Sequence, residues 1–148
     1  MKQNTTIAAV VLAGGQSCRM ERFKPLLPLG DGCAIEVVVQ TLRAAGIEDL
    51  IVVTGHRADE IQRVLAPQAV RCVENTDYRR GMFSSVTTGI QALPPACRAF
   101  FVHPADIPLV RAQTIRRLAA AFPQSSPAVL YPTFGGRRGP RKIRRSSS

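Results

Sequence analysis

The apolar residues of this chain fall into short runs that alternate with stretches of helical spacing. Residues 7–12 (IAAVVL) form a continuous apolar run that is rich in β-branched side chains, and residues 49–54, 69–73 and 98–102 are three more short segments that are mostly apolar. Runs of this length and composition are typical of strands that are buried on both faces of a parallel sheet. A fifth strand is predicted at residues 127–132.

The helices predicted between these strands are residues 34–45, 58–65 and 111–122, together with a fourth within residues 81–93 that begins near Ser84 and Ser85. Capping of this helix by Ser84 is one interpretation of that segment. Apolar residues in the first of the four helices recur every three or four positions, and a glycine that follows is a suitable stop. Alternation of strands and helices at short intervals predicts an α/β fold, a Rossmann-like three-layer arrangement around a mostly parallel sheet. Ligands of such sheets bind beyond the carboxyl ends of the strands, so function is expected in the loops that follow them.

The loop after the first predicted strand is built from small and polar residues. AGGQS (residues 13–17) lets the backbone approach a ligand closely and offer free N–H groups to an anion. Arg19 and Lys24 follow within reach of the same loop. No GKS or GKT and no G-x-G-x-x-G is present, which excludes a Walker loop and a dinucleotide-binding fingerprint. The residues alone leave two interpretations open, a phosphate-binding loop and a tight turn with surface cations.

The net charge of +10 is unevenly distributed along the 148 residues. All ten acidic residues and fourteen of the twenty Lys and Arg residues precede Arg137, so that part carries +4 and residues 137–148 carry +6. A mildly basic body suits phosphorylated substrates and argues against nucleic acid as the main partner. We expect one folding unit over residues 1–136 and a basic, disordered tail over residues 137–148.

The remaining composition excludes several other classes of protein. No segment resembles a signal peptide and no apolar run approaches the length of a membrane-spanning helix, so we expect a cytoplasmic protein without a membrane partner. The four cysteines are scattered without a C-x-x-C pair, which argues against a zinc site and a disulfide framework. We interpret them as reduced structural thiols, although Cys18 lies beside a cation that could lower its pKa.

Two segments of the chain resemble one known family. LAGGQSCRM (residues 12–20) followed by FKPLLPLG (residues 23–30) resembles the signature loop of the MobA-like nucleotidyltransferases, which include molybdopterin guanylyl- and cytidylyltransferases. Asn75 with GMFSSVTTG (residues 81–89) is similar to the N…GMxxSxxxG segment that lines the nucleotide pocket in the cytidylyltransferase branch. The resemblance implies the nucleotidyltransferase version of the predicted fold.

A third segment, HPADIPLV, follows the fourth predicted strand. An acidic side chain at the end of a buried strand is well placed as an oxygen ligand for Mg²⁺, and Asp106 is the candidate, with capping of the next helix as the alternative. Asp106 and Pro108 match the D-x-P motif in which the family has its metal ligand. His103 is expected to be a hydrogen-bonded structural residue.

The resemblance implies transfer of a nucleotidyl group, CMP from CTP, to a phosphorylated acceptor such as molybdopterin, with release of pyrophosphate and with Mg²⁺ as cofactor. Three alternatives stay open: guanylyl transfer from GTP, since LAGG is common in the guanylyl branch, a sugar-phosphate acceptor, and a nucleotide-binding module without turnover. The implied catalytic residues are Arg19, Lys24 and Asp106, and Asp106 is the implied metal ligand. The implied nucleotide-binding residues are Leu12, Ala13, Gly14, Gly15, Ser17, Arg19, Lys24, Asn75, Gly81, Met82 and Ser85.

The pattern of the family stops inside a recognisable motif near the end of the chain. GGRRG (residues 135–139) matches the start of the acceptor-binding region, but PRKIRRSSS follows in place of the rest. Three interpretations are open: a frameshift or premature stop, a genuine short variant with a disordered end, and an appended nucleic-acid-binding arm. We favour the first, which makes residues 1–136 an incomplete MobA-like domain.

Overall fold

The structure is a computed structural model that describes residues 6–13, 24–125, 129–130, 133–134, 137–138 and 142–145. Its α-helices are α1 (Ala34–Ala44), α2 (Ala58–Leu65), α3 (Met82–Gln91) and α4 (Ala112–Ser125). Its strands are β1 (Thr6–Ala13), β2 (Pro28–Leu29), β3 (Gly32–Cys33), β4 (Asp49–Thr54), β5 (Arg71–Glu74), β6 (Cys97–Pro104), β7 (Val129–Leu130), β8 (Thr133–Phe134), β9 (Arg137–Arg138) and β10 (Lys142–Arg145). Within this described part, the longest helix has 14 residues and no helix is long and apolar enough to cross a membrane.

The central sheet has six strands in the order β5-β4-β1-β6-β10-β7. Strands β5, β4, β1 and β6 are mutually parallel, and β10 runs antiparallel to β6. The pairing of Ala13 with Thr54 and of Leu12 with Pro104 brings the carboxyl ends of β1, β4 and β6 to one edge. The predicted α/β fold with a mostly parallel sheet is therefore confirmed.

Strand β1 lies at the centre of the sheet and is buried on both faces. Ala9 and Val11 pack in a cluster with buried residues of α1, α2 and α4. Ala8 and Val10 lie in a second cluster, which α3 joins through Val86. Because successive side chains of a strand point to opposite faces, the continuous apolar run contributes side chains to the hydrophobic cluster on each face of the sheet.

The boundaries of β4 and α2 agree with the sequence-based prediction, whereas α3 begins earlier than expected. The serines were expected to mark the start of α3, but the helix begins at Met82 and Gly81 is its N-cap residue. Gly81 has a φ of 105°, a conformation that side chains with a Cβ rarely adopt. The Ser84 hydroxyl donates to the carbonyl oxygen of Gly81 at 2.7 Å, so it does not cap the helix.

The basic segment after residue 136 contains two of the strands, although the sequence predicts disorder there. In β10, Lys142 pairs with Val102 and Ile143 with Phe101 of β6. The edge of β6 that faces away from β1 offers backbone donors and acceptors, and these pair with another backbone whatever its side chains are. Hydrophobic periodicity does not detect this kind of pairing, and the boundary between domain and tail stays a prediction.

Helix α3 packs unusually close to the sheet at Gly89. A Cβ atom added there would lie 2.3 Å from Cγ1 of Val10 and 3.1 Å from Cγ2 of Val53. Both valines are fully buried and β-branched, so neither can move away easily. The glycine therefore sets the distance between α3 and the two central strands.

We expect Gly89→Ala to lower the free energy of unfolding by about 1–3 kcal/mol, since overpacking of the core outweighs the gain of about 1 kcal/mol in helix propensity. Urea unfolding followed by circular dichroism measures the difference. Gln91→Ala, on the exposed side of the same helix, is the control and should stay within about 0.5 kcal/mol of the parent. A Gly89→Ala variant as stable as the parent would contradict this packing.

Candidate functional site

A cavity of about 440 Å³ opens at the carboxyl edge of the parallel strands. Its walls come from the ends of β1 and β6, from the segment that begins at Lys24, and from the region between β5 and α3. These are the loops in which the α/β topology predicts a ligand site. The residues that line it and were singled out from the sequence are Leu12, Ala13, Lys24, Gly81, Met82, Ser85 and Asp106.

Lys24 and Asp106, predicted from segments some eighty residues apart, line the same cavity. Arg79 adds a second cation to its wall. The two cations and one carboxylate among its described lining residues can together accept an anion and a divalent cation. Among the residues predicted from the signature loop, Gly14, Gly15, Ser17 and Arg19 lie outside the described residues.

The turn that carries Asp106 is held to the sheet by hydrogen bonds on either side of it. The backbone N–H of Ala105 donates to the carbonyl oxygen of Leu12 at 2.9 Å, which joins the end of β6 to the end of β1. His103 is 2% exposed, and its Nε2 donates to the carbonyl oxygen of Ile107 at 2.7 Å. Asp106 itself is exposed at the mouth of the cavity. The structure thus fixes the backbone and leaves the carboxylate accessible.

Asn75 is placed differently from the other residues predicted to bind nucleotide. It is 5% exposed and borders a second depression of about 420 Å³ along α3, together with Ser84 and the exposed ring of Phe83. It is not among the described residues that line the first cavity. Its backbone N–H donates to the carbonyl oxygen of Thr54 at 2.7 Å, which joins the loop after β5 to the end of β4.

Four residues that line the cavity were not among the site residues predicted from the sequence, and these are Pro25, Tyr78, Arg79 and Pro104. Tyr78 is half-buried, and its ring lies 6.2 Å from that of His56, measured between centroids. The Arg79 guanidinium carbon lies 5.9 Å from the centroid of the Tyr78 ring. Their position after a strand of the parallel sheet was a usable signal, because function is expected in the loops that follow such strands.

The described cysteines agree with their interpretation as structural thiols. Cys33, Cys72 and Cys97 carry thiols, and burial raises the pKa of each. A raised pKa keeps the sulfur protonated at neutral pH, and the thiolate is the nucleophilic form. Across the part of the chain that the structure describes, no group of three or more His, Cys, Asp or Glu residues could hold a metal ion by itself.

Comparisons with known proteins agree with this geometry. The chain is 30% identical over 120 residues to the bifunctional protein GlmU of Psychrobacter sp. strain PRwf-1, a match that covers 80% of this chain and 26% of that protein. It is 34% identical to a solved nucleotidyl transferase from Methanothermobacter thermautotroptrophicus, with a TM-score of 0.73 over 78% of this chain and 57% of that one. The chain thus spans about a quarter of the length of the curated relative GlmU.

A further solved structure has the same fold at lower sequence identity. Rv0371c from Mycobacterium tuberculosis H37Rv is 24% identical and superposes with a TM-score of 0.84, covering 95% of this chain and 71% of that one. The sequence profile of the MobA-like NTP transferase domain matches residues 9–147, which includes the basic segment. Because this match covers far more than half of the residues, the chain belongs to the family of MobA-like NTP transferase domains.

Proposed function

We propose that this chain transfers CMP from CTP to the phosphate of an acceptor, molybdopterin, and releases pyrophosphate. The observation that carries the proposal is the common cavity of Lys24, Asp106, Gly81 and Ser85, which come from three segments that resemble the family. The membership of the chain in the family supports nucleotidyl transfer as the reaction class. The choice of CTP rests on the resemblance of residues 81–89 to the cytidylyltransferase branch.

In such a transfer, the protein has to position the reacting phosphates and to stabilise the negative charge that develops on them. An oxygen of the acceptor phosphate attacks the α-phosphorus of CTP, the bond from that phosphorus to the bridging oxygen breaks, and pyrophosphate leaves with the bond's electron pair. In the proposed mechanism, Lys24 lies near the α-phosphate and stabilises the charge that develops on its oxygens. Arg19 binds the leaving pyrophosphate, and the N–H groups of Gly14 and Gly15 bind the phosphates. No covalent intermediate with the protein is required.

The donor set of the cavity fits a magnesium ion that arrives with the nucleotide. Mg²⁺ keeps several waters and is usually bound by one or two carboxylates together with phosphate oxygens of the substrate. Among the described lining residues, Asp106 supplies one accessible carboxylate, which suffices for this mode of binding. When bound, the ion would neutralise charge on the phosphates and help to orient them. The fixed turn beneath Asp106 would then hold the carboxylate in place.

Lys24→Ala should lower kcat/KM for pyrophosphate release from CTP by about 10²–10³, as the loss of a key electrostatic group does. The assay contains Mg²⁺ and molybdopterin, and pyrophosphate is measured with a coupled enzyme. Arg63→Ala removes an exposed cation from α2 and serves as the control, with an expected change below about twofold. Turnover by Lys24→Ala at the rate of the parent would contradict the proposed role of Lys24.

Asp106→Asn should weaken binding of Mn²⁺ to the CTP complex by at least about tenfold, because the amide keeps the shape of the side chain but loses its charge. Calorimetric titration of the chain and CTP with Mn²⁺ measures this without any turnover. Asp31→Asn, in an exposed turn, is the matched control and should bind Mn²⁺ like the parent. If both variants bound the ion equally well, Asp106 would not be its ligand.

A comparison of CTP with GTP as substrates tests both the base specificity and the catalytic turnover of the chain. We expect kcat/KM to be at least about tenfold higher for CTP, since a base that does not match the polar groups of the pocket leaves them unpaired. Preference for GTP would identify guanylyl transfer instead. Binding of CTP and Mg²⁺ without pyrophosphate release, with acceptor present, would identify a nucleotide-binding module that lacks turnover.

A further inference from the structure

The hydroxyl groups of α3 differ in whether they donate a hydrogen bond to a backbone carbonyl. Ser84 donates to the Gly81 carbonyl at 2.7 Å, Thr87 to the Phe83 carbonyl at 3.0 Å, and Thr88 to the Ser84 carbonyl at 2.9 Å. The remaining hydroxyl belongs to Ser85. Within the described residues, no acceptor receives its hydrogen, although its oxygen accepts a hydrogen bond at 3.1 Å from Nδ2 of Asn75.

The orientation of the Asn75 amide is fixed by the backbone. The N–H of Asp77 donates to Oδ1 of Asn75 at 3.0 Å, and this contact requires an oxygen. Nδ2 therefore faces the two serines, where it donates to Oγ of Ser84 at 2.9 Å and to Oγ of Ser85. Both amide hydrogens of Asn75 are used in this way. None is left for a bound molecule.

This arrangement determines the hydrogen-bonding role of Ser85. A lone pair of its oxygen is occupied by Asn75, so the hydroxyl hydrogen turns away from Asn75. The side chain is 3% exposed and lines the cavity that contains Lys24 and Asp106. A buried donor without an acceptor is destabilising, and a bound molecule that offers an acceptor atom removes that penalty.

We propose that Ser85 donates a hydrogen bond to an acceptor atom of the nucleotide, and that Asn75 is a positioning residue that does not contact the nucleotide. This inference rests on the proposed function, because it assumes that a nucleotide occupies the cavity. The acceptor is an oxygen or an unprotonated ring nitrogen of the base, the ribose or a phosphate. Asn75 acts through Ser85 by keeping its hydroxyl a donor towards the cavity.

A double-mutant cycle tests this division of roles. Asn75→Asp keeps the acceptor for Asp77 but has no hydrogens to donate, so Ser85 would turn its own hydrogen towards the new carboxylate. Asn75→Ala removes the amide without adding charge. We expect each variant, and Ser85→Ala, to raise the dissociation constant of CTP with Mg²⁺ about three- to tenfold, the effect of one hydrogen bond. In the Ser85→Ala background, either change at Asn75 should alter the dissociation constant of CTP by less than about twofold.

Ser84→Ala is the matched control for Ser85→Ala. Each removes one hydroxyl that accepts from Asn75, and Ser84 is not among the described residues that line the cavity. Only Ser85→Ala should therefore weaken binding of CTP, and the melting temperatures of the two variants show whether either has lost stability. Equal loss of affinity in the two serine variants would overturn the assignment of Ser85.

The outcomes separate this inference from the proposed function. If losses caused by both Asn75→Asp and Asn75→Ala persist in the Ser85→Ala background, Asn75 contacts the nucleotide directly and the inference fails. The Asn75→Ala cycle alone decides the matter if Asn75→Asp does not fold. If the parent chain binds neither CTP nor GTP, the proposed function fails first, and calorimetry of the parent establishes this before any variant is compared.

Discussion

Two backbone hydrogen bonds at the carboxyl edge of the sheet determine where the cavity can form. The N–H of Ala105 donates to the carbonyl oxygen of Leu12, and the N–H of Asn75 donates to that of Thr54. Each contributes only about 1 kcal/mol of net stability, but together they attach the loops after β6 and β5 to the ends of β1 and β4. The loops that line the cavity are thus attached to two strands, β1 and β4, that are buried on both faces.

The close approach of α3 is the second condition for the site. Gly89 brings the helix against Val10 and Val53, which places its N-terminal end, with Gly81 and Ser85, beside the cavity. A side chain at Gly89 would push α3 away from these strands, because its Cβ atom would overlap with both valines. Core packing and the shape of the site are therefore coupled through one glycine.

Much of the architecture was predictable from the sequence for local reasons. The bounds of β4 and α2 follow from an apolar run and an amphipathic stretch, each flanked by residues that end regular structure. The order of strands and helices follows from the alternation of these two patterns along the chain. The start of α3 was misplaced because serine is a common N-cap, whereas here the hydroxyl of Ser84 bonds to a carbonyl. Pairing of β10 with β6 depends on backbone groups, which hydrophobic periodicity does not report.

The candidate site was predictable in part, because topology brings strand ends together but does not say which side of a loop faces the ligand. Lys24 and Asp106 line the cavity, whereas Asn75 borders the depression along α3 and Tyr78 was overlooked. The most direct test of the account is a crystal structure of the chain with CTP and Mn²⁺, with the ion located by anomalous scattering. We expect the triphosphate in the cavity, with Lys24 and Asp106 on either side of it. Nucleotide bound only along the outer side of α3, away from both residues, would contradict it.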